Sequence, residues 1–304
     1  MEPCLKGVSI LILGGDKREL ELYTYLKKLG ATVFLAGFDL FQDTRDYISS
    51  VDISKCLQDS QVVITPLTGI ENNGIIYSPH SRQEVNILET AYLESLKPES
   101  IFIAGYLDDK IKKQLQKRGI STCETREMDE ISILNAVPTA EGAIQCAMEH
   151  AEITIHNSES FVLGYGRCGK VLASTLQSLG ARVTVFARSR EVLSWVEIYK
   201  MKPMLLNHLP EAIHKADYIF NTIPSLVLTA DILYQVKKEC LILEVASFPG
   251  GIELEAARRL NIRIYSLPGL PGKVAPKTAG LILCKVYPSL ILSLLKGGTG
   301  SETG

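Results

Sequence analysis

The sequence predicts an α/β protein: two Rossmann-like, doubly wound parallel-sheet domains joined by a crossing helix. Three observations carry this. Short Val- and Ile-rich apolar runs alternate with helix-period segments along the chain. A unit of strand, glycine turn, helix, Leu-Gly-Ala and strand occurs near the start and recurs 150 residues later. The chain has 304 residues, room for two cores of about 150 residues each. Strands that are apolar throughout, rather than alternating, are buried on both faces, as helix-covered parallel sheets require.

In the first half the predicted strands are Val8–Leu13, Thr32–Ala36, Val62–Thr65 and Ile101–Ala104. In the second half they are Ser160–Leu163, Val183–Phe186, Tyr218–Asn221, Leu241–Val245 and Arg263–Tyr265. Helices are predicted at Lys17–Leu29, Asp108–Lys117, Lys170–Leu179 and Leu254–Leu260. The repeat is visible in Leu13-Gly14 with Leu29-Gly30-Ala31, and again in Leu163-Gly164 with Leu179-Gly180-Ala181.

The expected organisation follows. Residues 1–134 form an N-terminal Rossmann- or flavodoxin-like substrate domain. Residues 135–157 form the interdomain helix and linker, with Pro138 in the first helical turn and Glu141 near its start. Residues 158–278 form the nucleotide domain. A last helix, 279–295, is apolar enough to pack back onto the first domain. The small, polar tail 297–304 is expected to be disordered.

Composition narrows the function. Net charge is −2, with 46% hydrophobic and 22% charged residues, an ordinary globular balance with no basic footprint for nucleic acid. The apolar runs are strand-sized, so no membrane span is expected. Val8–Leu13 is too short for a signal-peptide core, and a cytoplasmic location is expected. Seven cysteines are scattered without a CxxC pair, which suggests reduced thiols in the core rather than disulfides or a metal site.

The chemistry-bearing motif is Gly164-Tyr165-Gly166-Arg167-Cys168-Gly169, a full GxGxxG. It follows an apolar strand and opens a helix with Val171, Leu172, Leu176 and Leu179 on one face. Gly164 allows the tight turn, Gly166 lets backbone approach a pyrophosphate, and Gly169 lets helix pack on strand. The earlier copy reads Gly14-Gly15-Asp16-Lys17-Arg18-Glu19. Its acids stand where the second and third glycines belong, so no dinucleotide is expected there.

The next strand ends in Arg188-Ser189-Arg190, where an NAD site places an acid on the ribose. Guanidinium and hydroxyl groups suit a 2′-phosphate, so NADP is favoured over NAD. The segments Thr222-Ile223-Pro224 and Ala246-Ser247 follow strands and are candidates for the ribose and nicotinamide, although ordinary turns read the same way. Residues 267–278, with three prolines, Lys273 and Lys277, are expected to form a cationic loop facing an interdomain cleft. Those lysines are candidates for substrate carboxylates; solvated lysines remain the alternative.

These segments together, above all Asn135–Gly142 (NAVPTAEG) and Pro268–Gly280 (PGLPGKVAPKTAG), resemble the A-type subunit family of the dipicolinate synthases of spore-forming bacteria. More remotely the layout is similar to alanine dehydrogenases and to hydroxyacid dehydrogenases of the formate/glycerate type. The resemblance implies NADP-dependent formation of dipicolinate (pyridine-2,6-dicarboxylate) from a dihydrodipicolinate-type precursor of the lysine pathway. It also implies, as partner, the flavoprotein-like B-type subunit of the synthase, and a setting in the mother-cell cytoplasm during sporulation. A homo-oligomer is a further candidate.

Two functions fit. In the first, the chain is an oxidoreductase, with Glu141 as candidate base, Lys273 as a second candidate catalytic group, and Arg18, Thr139, Lys273 and Lys277 as substrate contacts. Glu141 could equally serve only the helix dipole. In the second, the chain is an NADP-binding subunit that activates or positions a partner which completes the chemistry.

Overall fold

The structure, a computed structural model, describes residues 3–41 and 52–297. The chain divides into two compact units, Met1–Leu134 with Ala275–Gly304, and Asn135–Val274. The predicted tail lies outside the described residues apart from Gly297.

In the first unit the elements run β1 (Ser9–Leu13), α1 (Lys17–Lys28), β2 (Thr32–Ala36), α2 (Ile53–Asp59), β3 (Val62–Ile64), β4 (Ile75–Ile76), β5 (Val85–Asn86), α3 (Thr90–Ser95), β6 (Ile101–Ala104), α4 (Asp109–Lys117), β7 (Ser121–Glu124) and the start of α5 (Asp129–His150). The main sheet is β2-β1-β3-β6-β7, parallel throughout, with Leu11 opposite Phe34 on one side and Val63 on the other. Setting aside the small antiparallel β4–β5 pair, this is the flavodoxin-type order 2-1-3-4-5. Ile10 and Ile12 pack on one face of the sheet and Leu11 and Leu13 on the other, all wholly buried. That is why β1 reads as an unbroken apolar run.

The second unit continues with β8 (Glu159–Leu163), α6 (Arg167–Ser178), β9 (Arg182–Ala187), α7 (Arg190–Ile198), β10 (Lys202–Leu205), α8 (Leu209–Ala212), β11 (Tyr218–Asn221), α9 (Ala230–Leu233), β12 (Leu241–Glu244), α10 (Leu254–Arg259), β13 (Arg263–Ser266) and α11 (Leu270–Val274). Its parallel sheet is ordered β10-β9-β8-β11-β12-β13. Counted within the unit this is 3-2-1-4-5-6, the Rossmann order. The doubly wound α/β class is therefore correct for both units.

Three local expectations need correction. The crossing helix begins at Asp129, so Pro138 lies inside α5 rather than in its first turn. A proline there removes one amide donor from the helix ladder; at the next residue the Thr139 hydroxyl donates to the Asn135 carbonyl at 2.7 Å. The expected 267–278 loop is largely helical: Lys273 lies in α11, and Lys277 lies in the first turn of α12 (Pro276–Lys296). Pro276 suits that first turn, where its missing N–H costs nothing. Finally, α12 is long and apolar enough to cross a membrane by length and composition, contrary to the expectation that no such stretch exists; half of it is buried in the protein.

Helix α12 packs along α1 within the first unit. Gly280 makes this close: a Cβ there would stand 2.9 Å from the Arg18 carbonyl and 2.7 Å from the Glu21 Cβ. In the second unit Gly142 does the same for α5 and α11, with Leu270 and Val274 side chains 3.0–3.1 Å from where a Cβ would be. The last glycine of each of the two most distinctive segments thus serves helix packing.

Candidate dinucleotide site

The second unit's site grows from the end of β8. Gly164 adopts φ +95°, and a side chain there would collide with the Thr222 hydroxyl at 2.6 Å. A Cβ on Gly169 would be driven into the Gly164 carbonyl, so only glycine lets α6 start against the strand end. Between them Gly166 caps α6 without a side-chain hydrogen bond, and nothing lies within 4 Å of where its Cβ would be. A helix start with no capping side chain and open approach is a fitting cradle for a diphosphate.

Beyond β9, Arg188 and Arg190 line a cavity of about 340 Å³ with Leu205, Leu206 and Asn207. Ser189 is the N-cap of α7, its hydroxyl accepting from the Val192 amide at 3.4 Å. That role leaves its proton available for donation. Both arginines thus follow the strand that pairs with β8 on its other side from β11.

On the other side of β8, the Thr222 hydroxyl donates to the Leu163 carbonyl at 2.8 Å, which fixes the start of the 222–225 loop. Asn221 is wholly buried and holds the same loop at both ends of its amide. Its Oδ1 accepts from the Ile223 N–H at 3.1 Å, and its Nδ2 donates to the Ile223 carbonyl at 3.1 Å. Nδ2 also donates to Glu244 Oε1 at 2.9 Å. Glu244, 8% exposed, further accepts from the amides of Ala246 at 3.2 Å and Gly251 at 3.1 Å. Burial pushes its carboxyl above the ordinary carboxylate range, against the pull of these donors. Gly164, Tyr165, Gly166, Arg167, Cys168, Gly169, Thr222, Ile223, Pro224, Ala246 and Ser247 thus lie at the carboxyl ends of β8, β11 and β12, and Arg188, Ser189 and Arg190 at that of β9.

The catalytic and substrate candidates fall elsewhere. Glu141 is exposed and lines a cavity of about 400 Å³ with Ile144, Gln145, Met148, Glu149, Thr175 and Leu179. Thr175 is eight residues, about 12 Å, along α6 from its first residue, Arg167. Lys273 and Lys277 are exposed and make no ion pair among the described residues. The division between the units falls between them.

Arg18 is not a free cation. It is 6% exposed, and its Nε and Nη2 hold the two Asp16 oxygens at 2.9 and 3.0 Å. Asp16 caps α1, accepting from the Arg18 amide at 3.0 Å, while Glu19 Oε2 accepts from the Asp16 amide at 2.8 Å. Glu19 is 1% exposed and its Oε1 has no partner among the described residues. Burial pushes its carboxyl up to about 7, with Arg18 opposing.

Comparison with known proteins agrees with this layout. Residues 9–126 match the N-terminal domain of the dipicolinate synthase A-type subunit, and residues 138–246 match the NAD-binding domain of D-isomer-specific 2-hydroxyacid dehydrogenases. The A-type dipicolinate synthase subunit of Bacillus subtilis (strain 168) is 33% identical over 95% of this chain and 98% of its own. The chain belongs to the family of dipicolinate synthase A-type subunits. The crystal structure of the family member from Bacillus halodurans superposes with a TM-score of 0.87, at 31% identity over 95% of this chain and 99% of that one. An L-alanine dehydrogenase shares the fold at a TM-score of 0.65 and 15% identity, covering 96% and 91% of the two chains. The nucleotide unit thus matches the NAD-binding domain of an oxidoreductase family.

Sequence reasoning missed one group that shapes the site. Glu244 interrupts the apolar strand Leu241-Ile242-Leu243, and a lone acid in such a run was the available signal. Glu19, in the other unit, was legible as one of the two acids replacing glycines in the first turn; its burial was not, because an acid in the first helical turn is ordinary.

Proposed function

We propose that the chain is the NADP-dependent oxidoreductase subunit of a dipicolinate synthase, oxidising a dihydrodipicolinate-type precursor to dipicolinate. The observation that carries this reading is the Gly164–Gly169 turn with Arg188 and Arg190 beside their cavity, in a chain of this family. The α6 amides hold the diphosphate, the two arginines with Ser189 hold a 2′-phosphate, and the 222–225 and 246–251 loops hold the nicotinamide ribose.

The cofactor supplies a hydride acceptor. With NADP⁺ bound, aromatising a dihydropyridine would leave NADPH and a pyridine, and the proton released from the ring would pass to a base of the chain. Lys273 and Lys277 are the cations we assign to the two ring carboxylates, because Arg18 already has its charge compensated by Asp16. Glu141 is assigned the proton, and Thr139 a substrate contact. We place the reaction in the cytoplasm of the sporulating mother cell, where the partner is the flavoprotein-like B-type subunit.

Purified protein mixed with NADP⁺ and the precursor, with and without that partner, tests the reading through NADPH absorbance. NADPH formation by the chain alone, or by the pair but not by the partner alone, is expected. Absence of NADPH in every mixture, with NADP⁺ bound, would assign the chain the positioning role instead. Replacing Lys273 or Lys277 with Met removes charge and keeps length; apparent substrate affinity should fall at least tenfold, at about 1.4 kcal/mol per decade, with NADP⁺ affinity intact. Unchanged kinetics in both variants would remove these lysines from the site.

A further inference from the structure

Among the described residues two glutamates are buried, one in each unit: Glu19 and Glu244. Glu19 is absorbed by the capping of α1. Glu244 caps nothing. It sits at the last position of β12, and its two oxygens collect three donors from three places. Oε1 takes the Asn221 side chain, at the end of β11, and the Ala246 amide; Oε2 takes the Gly251 amide.

The consequence is geometric. Ala246 and Gly251 are the two ends of a six-residue loop, so one carboxylate ties that loop shut at its base. The same carboxylate, through Asn221, is joined to the loop that begins at Thr222. Space around this knot is already filled: a Cβ on Gly251 would collide with the Asn221 amide nitrogen. The Gly251 carbonyl in turn accepts from the amides of Val227 and Leu228, which closes the far end of the 222–228 segment onto the same point. Both loops lie at the carboxyl edge of the sheet, on the side of β8 away from Arg188 and Arg190.

We infer that Glu244 is a positioning residue for the nicotinamide-ribose half of a bound dinucleotide, holding the 222–225 and 246–251 loops in one arrangement through Asn221, Ala246 and Gly251. This rests on the nicotinamide-cofactor reading above. A carboxylate is needed because every donor points inward and the oxygens must only accept. Glutamine has the same shape, but its NH₂ would face either the Gly251 amide or the Asn221 and Ala246 donors, so one tether or two are lost, depending on which way it turns.

The test separates the two halves of the cofactor. Affinities of the full chain for NADP⁺ and for 2′,5′-ADP, which lacks the nicotinamide half, are measured by calorimetry for the parent and for Glu244→Gln. The expected result is a tenfold or greater loss for NADP⁺ with 2′,5′-ADP within twofold of the parent. Equal losses for both ligands, or no loss for either, would overturn the assignment. Should Glu244→Gln fail to fold, Asn221→Ala cuts the link between the same two loops from the other side, and the same split is expected and decisive. Failure of the underlying cofactor reading looks different: the parent itself then binds neither ligand.

Discussion

At the end of β1, Gly14 and Gly15 lead into a helix capped by Asp16; at the end of β8, Gly164 leads into a helix capped by Gly166. The backbones serve the same purpose, since Gly14 at φ +72° and Gly164 at φ +95° both make a left-handed exit from the strand. What differs is who satisfies the helix start. In the first unit the chain supplies its own anions. Asp16 takes the Arg18 amide, Glu19 takes the Asp16 amide, and the Glu19 carboxyl lies over Gly15, 2.5 Å from where a Cβ would be. In the second unit no side chain caps the helix. One turn carries its own carboxylates where a phosphate would sit, and the other leaves that place open. Two turns of the same backbone course thus differ in two side chains.

Exchanging those features should break the comparison most sharply at Gly166. An aspartate fits there sterically and is a good N-cap, so Gly166→Asp should melt at or above the parent temperature. Cofactor affinity should nevertheless fall by a factor of about a thousand or more, because the carboxylate takes the diphosphate's amides and repels its charge. Calorimetric titration with NADP⁺ beside a thermal melt reads both; normal affinity in the variant would remove the turn from the site.

The reverse change should cost stability instead of binding. Asp16→Ala removes the α1 cap and leaves the Arg18 guanidinium buried without its partner. A loss of about 3–5 kcal/mol in urea unfolding is expected, the usual cost of breaking a buried pair from one side. The stoichiometry should stay at one NADP⁺ per chain.

Glu19 gives the comparison a pH signature. Burial raises its carboxyl from the ordinary 4.5 to about 7, so the folded chain keeps a proton that the unfolded chain releases. Its contribution is fully present below pH 4.5 and is lost as pH rises through 7, a swing of about 3 kcal/mol. Glu19→Gln removes the swing. It should match the parent at low pH and exceed it in stability at about pH 8; identical pH profiles would sink the account of a buried, protonated Glu19.

The smallest effect is expected at Arg188. Arg188→Ala should weaken NADP⁺ by about 2 kcal/mol, the worth of a charge-assisted hydrogen bond, and leave NAD⁺ nearly unchanged. Equal losses for both would move the 2′-phosphate elsewhere.

How far the sequence could be read follows the same physics. Central strands such as β6 and β11 were legible to the residue because both their faces are buried, and the edge strand β2 was legible because Val33-Phe34-Leu35-Ala36 is still an apolar run. The edge strands β7 and β10 were not, since Ser121-Thr122-Cys123-Glu124 and Lys202-Pro203-Met204-Leu205 are only partly buried and carry no apolar run. Pro138 looked like a helix start because the rule for proline is local, whereas α5 is held from both sides of it by Ile131 in one core and Ala140 in another. The glycine turn was legible because its spacing is a short local pattern, in which Gly164 and Gly169 answer steric demands and Gly166 leaves the helix start open. Glu244 was not, because its three donors converge only after β11 and β12 have paired.

The first unit is not one stretch of chain: it needs residues 1–134 and also α12, near the opposite terminus. Tyr287 of that helix is wholly buried, its hydroxyl 3.0 Å from that of Thr125, and the helix covers the apolar side of α1. On the ribosome, therefore, the half of the molecule made first is the half completed last. The nucleotide-type unit has all its strands as soon as β13 and α11 emerge, while β1 and α1 wait with one wall missing until the final helix arrives. A nascent chain stalled before Pro276 would hold every strand of the second unit while the apolar side of α1 lacks the helix that covers it.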